Sequence, residues 1–145
     1  MVTALKPGGW LLAEEFDALS LLANPGLYPG ERSLKLEQAQ QRLMRERGAD
    51  STYGRRLPER FAAHGLANIE AEGQVFVWRG GSAGAQVKRA NYLQLREAML
   101  AADDVSAEEL EEELRVLEDP MMRLLSPVMW SVRGQRPREG DRTAE

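Results

Sequence analysis

The chain has 145 residues, of which 43% are hydrophobic and 29% are charged, and these ordinary globular values exclude disorder throughout. It has no cysteine and one histidine, His64, so disulfides and thiolate metal sites are excluded and a Ser-His-Asp triad is disfavoured. The net charge of -4 argues against general nucleic-acid binding, and with no membrane-length apolar run and no leader at Met1 a cytoplasmic protein is expected.

The first predicted strand follows a sharp turn. Residues 1–5 are too few for a helix alone and are typical of the last turn of one, which Pro7 ends. Gly8 and Gly9 permit the positive φ angles of a turn. Residues 10–13 are continuously apolar, which predicts a strand buried on both faces, as in a parallel sheet.

A loop and two helices are expected next. Two turn signals, Asn24-Pro25-Gly26 and Tyr28-Pro29-Gly30, predict the loop. Ser33 is a typical capping residue for a helix that is expected to end near Arg47. After a polar connection, a second and shorter helix is expected to open at Leu57-Pro58, since proline is favoured in a first helical turn.

The second half of the chain combines two strand signals with two helices. Residues 69–78 carry the clearest strand signal because they end in β-branched and aromatic side chains. Helices are predicted over 83–102 and after Ser106, which begins a capping-box pattern with glutamate three residues later. A last strand is predicted over 128–132.

The order of these elements resembles part of a known family. Leu5-Lys6-Pro7-Gly8-Gly9-Trp10-Leu11-Leu12-Ala13-Glu14-Glu15 is similar to the segment that enters the fifth strand of class I S-adenosylmethionine-dependent methyltransferases. Residues 57–69 resemble the helix that leads into their sixth strand. Residues 128–132, followed by Arg133-Gly134-Gln135-Arg136-Pro137, resemble their final strand, which inserts antiparallel between strands five and six. The helices over 83–118 would then be an insertion where many small-molecule members carry a substrate-covering element.

The resemblance implies an α/β fold with a partial Rossmann-like sheet. That sheet would hold the last three strands of the methyltransferase sheet, two of them antiparallel, with several helices that include a two-helix insertion before the last strand. The domain is expected to span 1–134, and 135–145 to be a disordered tail, because this end of the chain is poor in apolar residues.

The cofactor motif of the family is missing. Such enzymes bind their cofactor with a glycine-rich loop after the first strand and an acidic residue at the end of the second. Here Gly8 and Gly9 precede a strand, and Gly80, Gly81 and Gly84 precede a helix but lack a Gly-x-Gly core. The resemblance therefore implies a C-terminal half, which begins where the cofactor half would have ended. S-adenosylmethionine is the implied cofactor, is not expected to be bound by this chain alone, and has no assigned binding residue.

Acidic and aromatic residues follow the first predicted strand. Glu14, Glu15 and Asp17 lie at its carboxyl end, the edge where ligands bind in open α/β sheets. A carboxylate there would accept a proton from, or orient, a nucleophilic substrate atom, and Glu15 is the candidate catalytic residue. Phe16, Asp17 and Tyr28 are candidate substrate-binding residues by position. The alternative is a strand end where acids are simply exposed to solvent.

Three other residues have a functional and a structural interpretation. Arg55 is a candidate for binding an anionic substrate group, although a solvated turn is the favoured interpretation. Tyr92 is a candidate for an apolar substrate pocket, with ordinary core as the alternative. His64 suits the negative end of a helix dipole better than it suits general-base catalysis. No metal is implied, because the carboxylates show no ligand spacing.

Two classes of function remain open. In the first, the chain belongs to a methyltransferase that acts on a small-molecule acceptor, whose identity and methylated atom stay open. In the second, it is a non-catalytic interaction module or truncated product, because an unpaired apolar strand is a template for another chain. The partner would then be a second copy, in a homodimer, or a complementary methyltransferase half; neither nucleic acid nor a membrane is expected as a partner.

Overall fold

The computed structural model describes residues 2–22, 30–102, 105–138 and 140. In these residues the fold class is α/β, with four α-helices and antiparallel sheets of three and two strands. In chain order, a 3-10 helix (Val2–Ala4) is followed by β1 (Trp10–Asp17), α1 (Glu31–Glu46), α2 (Tyr53–Ala63), β2 (Ala67–Gln74), β3 (Val77–Arg79), α3 (Ala83–Ala101), α4 (Ala107–Val116), β4 (Arg123–Leu125) and β5 (Val128–Gln135).

The chain forms two compact units, each with its own apolar cluster. The sheet unit consists of Met1–Asp17, Thr52–Gln74 and Val128–Glu145. The helical unit consists of Ala18–Ser51 and Val75–Pro127. The span predicted as one domain, 1–134, thus contains two units.

The sheet unit is built around the last strand. β5 lies between β1 and β2 and is antiparallel to both, so that Val132 pairs with Ala13 on one side and with Ala71 on the other. Helix α2 packs on one face of this sheet, where Leu57, Phe61 and Val132 are buried. The helix can lie there because its buried leucine and phenylalanine are four residues apart and therefore share one side.

The other face of the sheet is exposed along β1. Leu11 and Ala13 pack against the core under α2, whereas Trp10 is 48% exposed and Leu12 is 62% exposed. The prediction of a strand buried on both faces is therefore wrong for this chain, because alternate side chains point to opposite faces and only one face carries a helix. The Arg133 guanidinium lies 5.5 Å from the Trp10 ring on this open face.

The long strand predicted over 69–78 is two strands in two different sheets. β2 belongs to the three-stranded sheet, whereas β3 pairs with β4 in a separate two-stranded sheet that the sequence did not predict. The chain passes from one unit to the other at Val75. Phe76 and Ser126 exchange hydrogen bonds there, because the Ser126 amide donates to the Phe76 carbonyl and the Phe76 amide donates to the Ser126 hydroxyl.

The helix predicted to open at Leu57-Pro58 begins four residues earlier. Helix α2 starts at Tyr53, so Pro58 lies inside it and residues predicted as a polar connection form its first turn. Proline in a helix interior normally costs stability. Packing of α2 against β1 outweighs that local preference.

The helical unit contains α1, α3 and α4 around one core. Helical spacing in the sequence predicts a set of inward-facing residues: Leu36, Ala39, Leu43, Met44, Tyr92, Leu95, Met99, Ala102, Leu110, Leu114 and Leu117. Most of them are buried. Met44 and Ala102 are exceptions, since both are exposed. The core residues are Leu36, Ala39, Leu43, Ala85, Tyr92, Leu95, Met99, Val105, Leu110, Leu114 and Leu117. A buried ion pair between Lys88 and Glu37 links α3 to α1 at 2.7 Å.

The two predicted helix caps have different outcomes. Ser106 caps α4, because its hydroxyl accepts from the Glu109 amide while the Glu109 carboxylate accepts from the Ser106 amide. Hydrogen bonds from Lys35 and from the Ser106 backbone lower the pKa of the Glu109 carboxyl. Ser33 does not cap α1, which begins at Glu31; it is buried inside the helix and donates to Glu113 at 2.7 Å.

Regular pairing continues past residue 134. Gln135 ends β5 opposite Trp10 and Ala67, and Arg136 exchanges two backbone hydrogen bonds with Gly8 and Gly9. Partners on both sides therefore hold the first residues of the segment predicted as a tail; residue 139 and residues 141–145 lie outside the described residues. Within the described ranges, no helix has the length and apolar character needed to cross a membrane.

Candidate functional site

A groove of about 570 Å³ lies within the sheet unit. The 3-10 helix, β1 and α2 supply its walls. Its apolar floor comes from Leu11, Ala13, Leu57 and Phe61. The remaining lining residues are Val2, Thr3, Glu14, Glu15, Tyr53, Arg60 and His64. The groove thus combines an apolar floor with both acidic and basic groups.

Gly54 brings the first turn of α2 against the end of β1. A Cβ atom at this position would lie 2.6 Å from the Glu15 carbonyl oxygen and 2.8 Å from the Phe16 carbonyl carbon. These are backbone atoms, which do not move aside as the end of a side chain would. The missing side chain of Gly54 therefore sets how closely helix and strand approach, and so positions both walls of the groove.

Glu15 lies on the groove side of β1. Its neighbours on that side of the strand are Ala13 and Asp17, since alternate residues share a face. The Glu15 side chain is exposed, and its Oε1 accepts a hydrogen bond of 2.9 Å from the Phe16 amide. The candidate catalytic carboxylate thus borders the groove and is accessible.

Basic and aromatic groups come from α2. The Arg60 guanidinium lies 4.4 Å from the centre of the Tyr53 ring, within the range of a cation–π contact. His64 is the C-terminal cap residue of α2, where its amide donates to the Arg60 carbonyl. This is the helix-end position that the structural interpretation of His64 predicts.

Two predicted substrate-binding residues bind each other. Asp17 is 3% exposed, and its Oδ2 accepts a hydrogen bond of 2.5 Å from Arg55 Nε. That hydrogen bond, together with the carboxylate charge, raises the pKa of the Arg55 guanidinium above its ordinary value. The pair ties the end of β1 to the first turn of α2, beside the close contact at Gly54.

Phe16 and Tyr92 are not among the residues that line the groove. Phe16 is on the open face of the sheet, paired with Met129 and 36% exposed. Tyr92 is fully buried in the core of the helical unit, with Lys88 Nζ 5.6 Å from its ring, which agrees with its interpretation as core. Tyr28 lies outside the described residues.

Sequence reasoning missed the residues that α2 contributes to the groove. Tyr53, Leu57, Arg60 and His64 recur at spacings of three and four, which places them on one side of a helix. Leu57, Arg60 and His64 already share one side of the predicted helix, whereas Tyr53 joins them only because the helix starts four residues earlier than predicted.

The chemistry that the groove offers is binding and proton transfer by side chains. No cluster of three or more potential ligands suited to a metal ion occurs in the part of the chain that the structure describes. Comparison with known proteins finds no matching family model and no matching curated protein.

Proposed function

We propose that this chain is the C-terminal portion of an S-adenosylmethionine-dependent methyltransferase that acts on a small-molecule acceptor. One observation carries the proposal: β5 lies between β1 and β2 and is antiparallel to both. The resemblance implies that same order for the final strand. A simple meander would instead place the strands in their order along the chain.

The exposed side of β1 supports the same proposal. β1 is at the edge of its sheet, and Trp10 and Leu12 leave large apolar surfaces on a face without a helix. Sheets in α/β proteins are stable when both faces are covered. A complementary half that supplies further strands and helices would cover these residues, so the chain would contribute sheet-completing elements.

The described residues do not fit the cofactor. S-adenosylmethionine needs a backbone that approaches it closely at a glycine-rich loop and an acid for its ribose hydroxyls. The groove instead has side chains along both walls, and its floor is formed by Leu57 and Phe61. We therefore assign cofactor binding to the complementary half, and derive no catalytic step through the cofactor.

Glu15 is the residue of this chain that the proposal places at the acceptor. Its exposed carboxylate borders a groove of the size that small-molecule sites have. There it would orient an acceptor hydroxyl or amine by accepting a hydrogen bond, and would take up its proton. Positioning of the acceptor is the main contribution that a protein makes to such a transfer.

Calorimetric titration with S-adenosylhomocysteine tests whether the cofactor is bound by the complementary half rather than by this chain. The chain alone is expected to release no heat up to about 1 mM ligand, while circular dichroism shows it to be folded. A mixture with a separate polypeptide that carries a glycine-rich cofactor-binding half should bind in the micromolar range. Micromolar binding by the chain alone would contradict the proposed division, and no binding by the mixture would contradict the proposal.

The second candidate function, a self-associating interaction module, is favoured by the apolar edge strand. Replacement of Leu12, 62% exposed on β1, by lysine is expected to convert a dimer into a monomer, because lysine on an edge strand blocks pairing between sheets. Sedimentation velocity measures the change. Leu93→Lys is the matched control, since Leu93 is an exposed leucine of α3 in the helical unit. A wild-type chain that sediments as a monomer would exclude this candidate.

A further inference from the structure

We infer that the groove between the 3-10 helix, β1 and α2 binds a small apolar molecule that carries a protonated amine, with the ammonium group at Glu15. The binding itself does not depend on the proposed function. That such an amine is the methyl acceptor does rest on it.

The size and the floor of the groove define the apolar part of the ligand. A volume of about 570 Å³ lies within the range of small-molecule pockets. Leu57 and Phe61 are 4% and 5% exposed, and Ala13 beside them is small enough to leave space above it. A flat ring lying on these side chains would remove apolar surface from water, which is favourable by about 25 cal/mol per Å².

The charge at Glu15 defines the polar part. Its Oε1 accepts from the Phe16 amide, and in the described residues its Oε2 has no hydrogen-bond or ion-pair partner. A carboxylate with an unused oxygen beside an apolar floor matches an ammonium group attached to a ring by a short linker.

The Arg60 guanidinium, a basic group of the groove, already has an aromatic partner. The Arg60 guanidinium stacks on Tyr53 at 4.4 Å, so part of its charge is directed at an aromatic face. His64 lies at the opposite end of α2 from Gly54, whereas Glu15 lies at the Gly54 end. The negative charge therefore dominates the wall formed by β1, which favours a cation over an anion there.

Two-dimensional NMR titration of the full chain tests this inference with two probes that share a phenylethyl group and carry opposite charges. The probe 2-phenylethylammonium is expected to saturate with a dissociation constant of about 1 mM or tighter and to shift amides of β1 and α2. The probe 3-phenylpropionate is expected to bind at least about tenfold more weakly, because its charge repels Glu15. Equal affinity for the two probes, or no saturable shift with about 20 mM amine, would overturn the inference.

A matched pair of variants tests whether the ammonium group of the probe binds at Glu15. Glu15→Gln is expected to weaken binding of the amine about three- to fivefold, the effect of an exposed ion pair. Glu72→Gln removes the same charge from an exposed position of β2 that does not line the groove, and should leave binding unchanged. If both variants have the same effect, the ammonium group is not at Glu15 and the inference is wrong.

The experiment separates this inference from the proposed function. The NMR titration contains no cofactor and therefore measures binding alone. If the amine binds but the reconstituted enzyme does not methylate it, only the assignment of the amine as the methyl acceptor is wrong. Transfer to an acceptor without an amine, by an enzyme whose groove does not bind 2-phenylethylammonium, would overturn the inference and leave the proposed function standing.

Discussion

Lys88→Met is expected to lower the free energy of unfolding by about 3–5 kcal/mol, the cost of leaving one buried charge without its partner. Lys88 Nζ lies 2.7 Å from Glu37 Oε2, and the two side chains are 10% and 7% exposed. Gln41 donates to the other oxygen of the same carboxylate at 2.9 Å. Removal of the ammonium group leaves the Glu37 carboxylate among apolar side chains with one neutral donor, which is too little to offset its lost hydration.

Urea unfolding of three variants measures this effect. The double variant Glu37→Leu with Lys88→Met is expected to recover most of the loss, because a buried ion pair contributes little net stability over an apolar pair of similar volume. Lys35→Met is the control, since Lys35 and Glu109 form an ion pair of the same 2.7 Å length at an exposed site. The control should cost less than about 1 kcal/mol. A loss in Lys88→Met no larger than in this control would contradict the prediction.

Gly54→Ala is expected to lower the free energy of unfolding by about 3 kcal/mol, at the upper end of the range for overpacked sites. The added methyl group would meet the Glu15 carbonyl oxygen at 2.6 Å and the Asp17 amide nitrogen at 3.0 Å. Helix α2 would have to move away from β1, and the hydrogen bond between Arg55 and Asp17 would stretch with it. The variant should therefore also change the shape of the groove.

Thermal and urea unfolding, together with amide chemical shifts, check this result. Gly30→Ala is the matched control, because a Cβ atom at Gly30 has nothing within 4 Å and the backbone there is extended. It should cost less than about 1 kcal/mol, because the added methyl group meets no atom and only the weaker preference of alanine for the N-cap of α1 counts against it. If Gly54→Ala is as stable as wild type and shifts no amide of β1, the close approach of helix and strand does not depend on this glycine.

Sequence patterns correctly predicted those elements whose structure is decided by residues close to them in the sequence. Ser106 and Glu109 form their capping box because both partners lie within one helical turn. Gly8 has a φ of 79°, as the turn before β1 requires. The last strand was predicted from its β-branched and aromatic residues, and it is longer than predicted because Gln135 gains partners from both neighbouring strands.

The wrong predictions concern segments whose structure is decided by contacts with residues far away in the sequence. Val75 and Phe76 favour a strand, and no local pattern shows that the chain passes from one unit to the other there. The hydrogen bond of the Phe76 amide goes to Ser126, a residue far along the chain. Pro58 predicted a helix start, but contacts of α2 with β1 extend the helix to Tyr53. Local propensity is a weak preference that packing overrides.

The amino-acid sequence by itself determined part of the composition of the site: a strand that ends in Glu14, Glu15 and Asp17, and a helix that ends near His64. Only the tertiary structure decided how these residues are used. Asp17 and Arg55 are 38 positions apart and pair with each other, so their charges are directed at each other rather than at a ligand. Glu15 faces the groove because β1 turns one of its two faces toward α2, and alternation along a strand does not reveal which face will meet a helix.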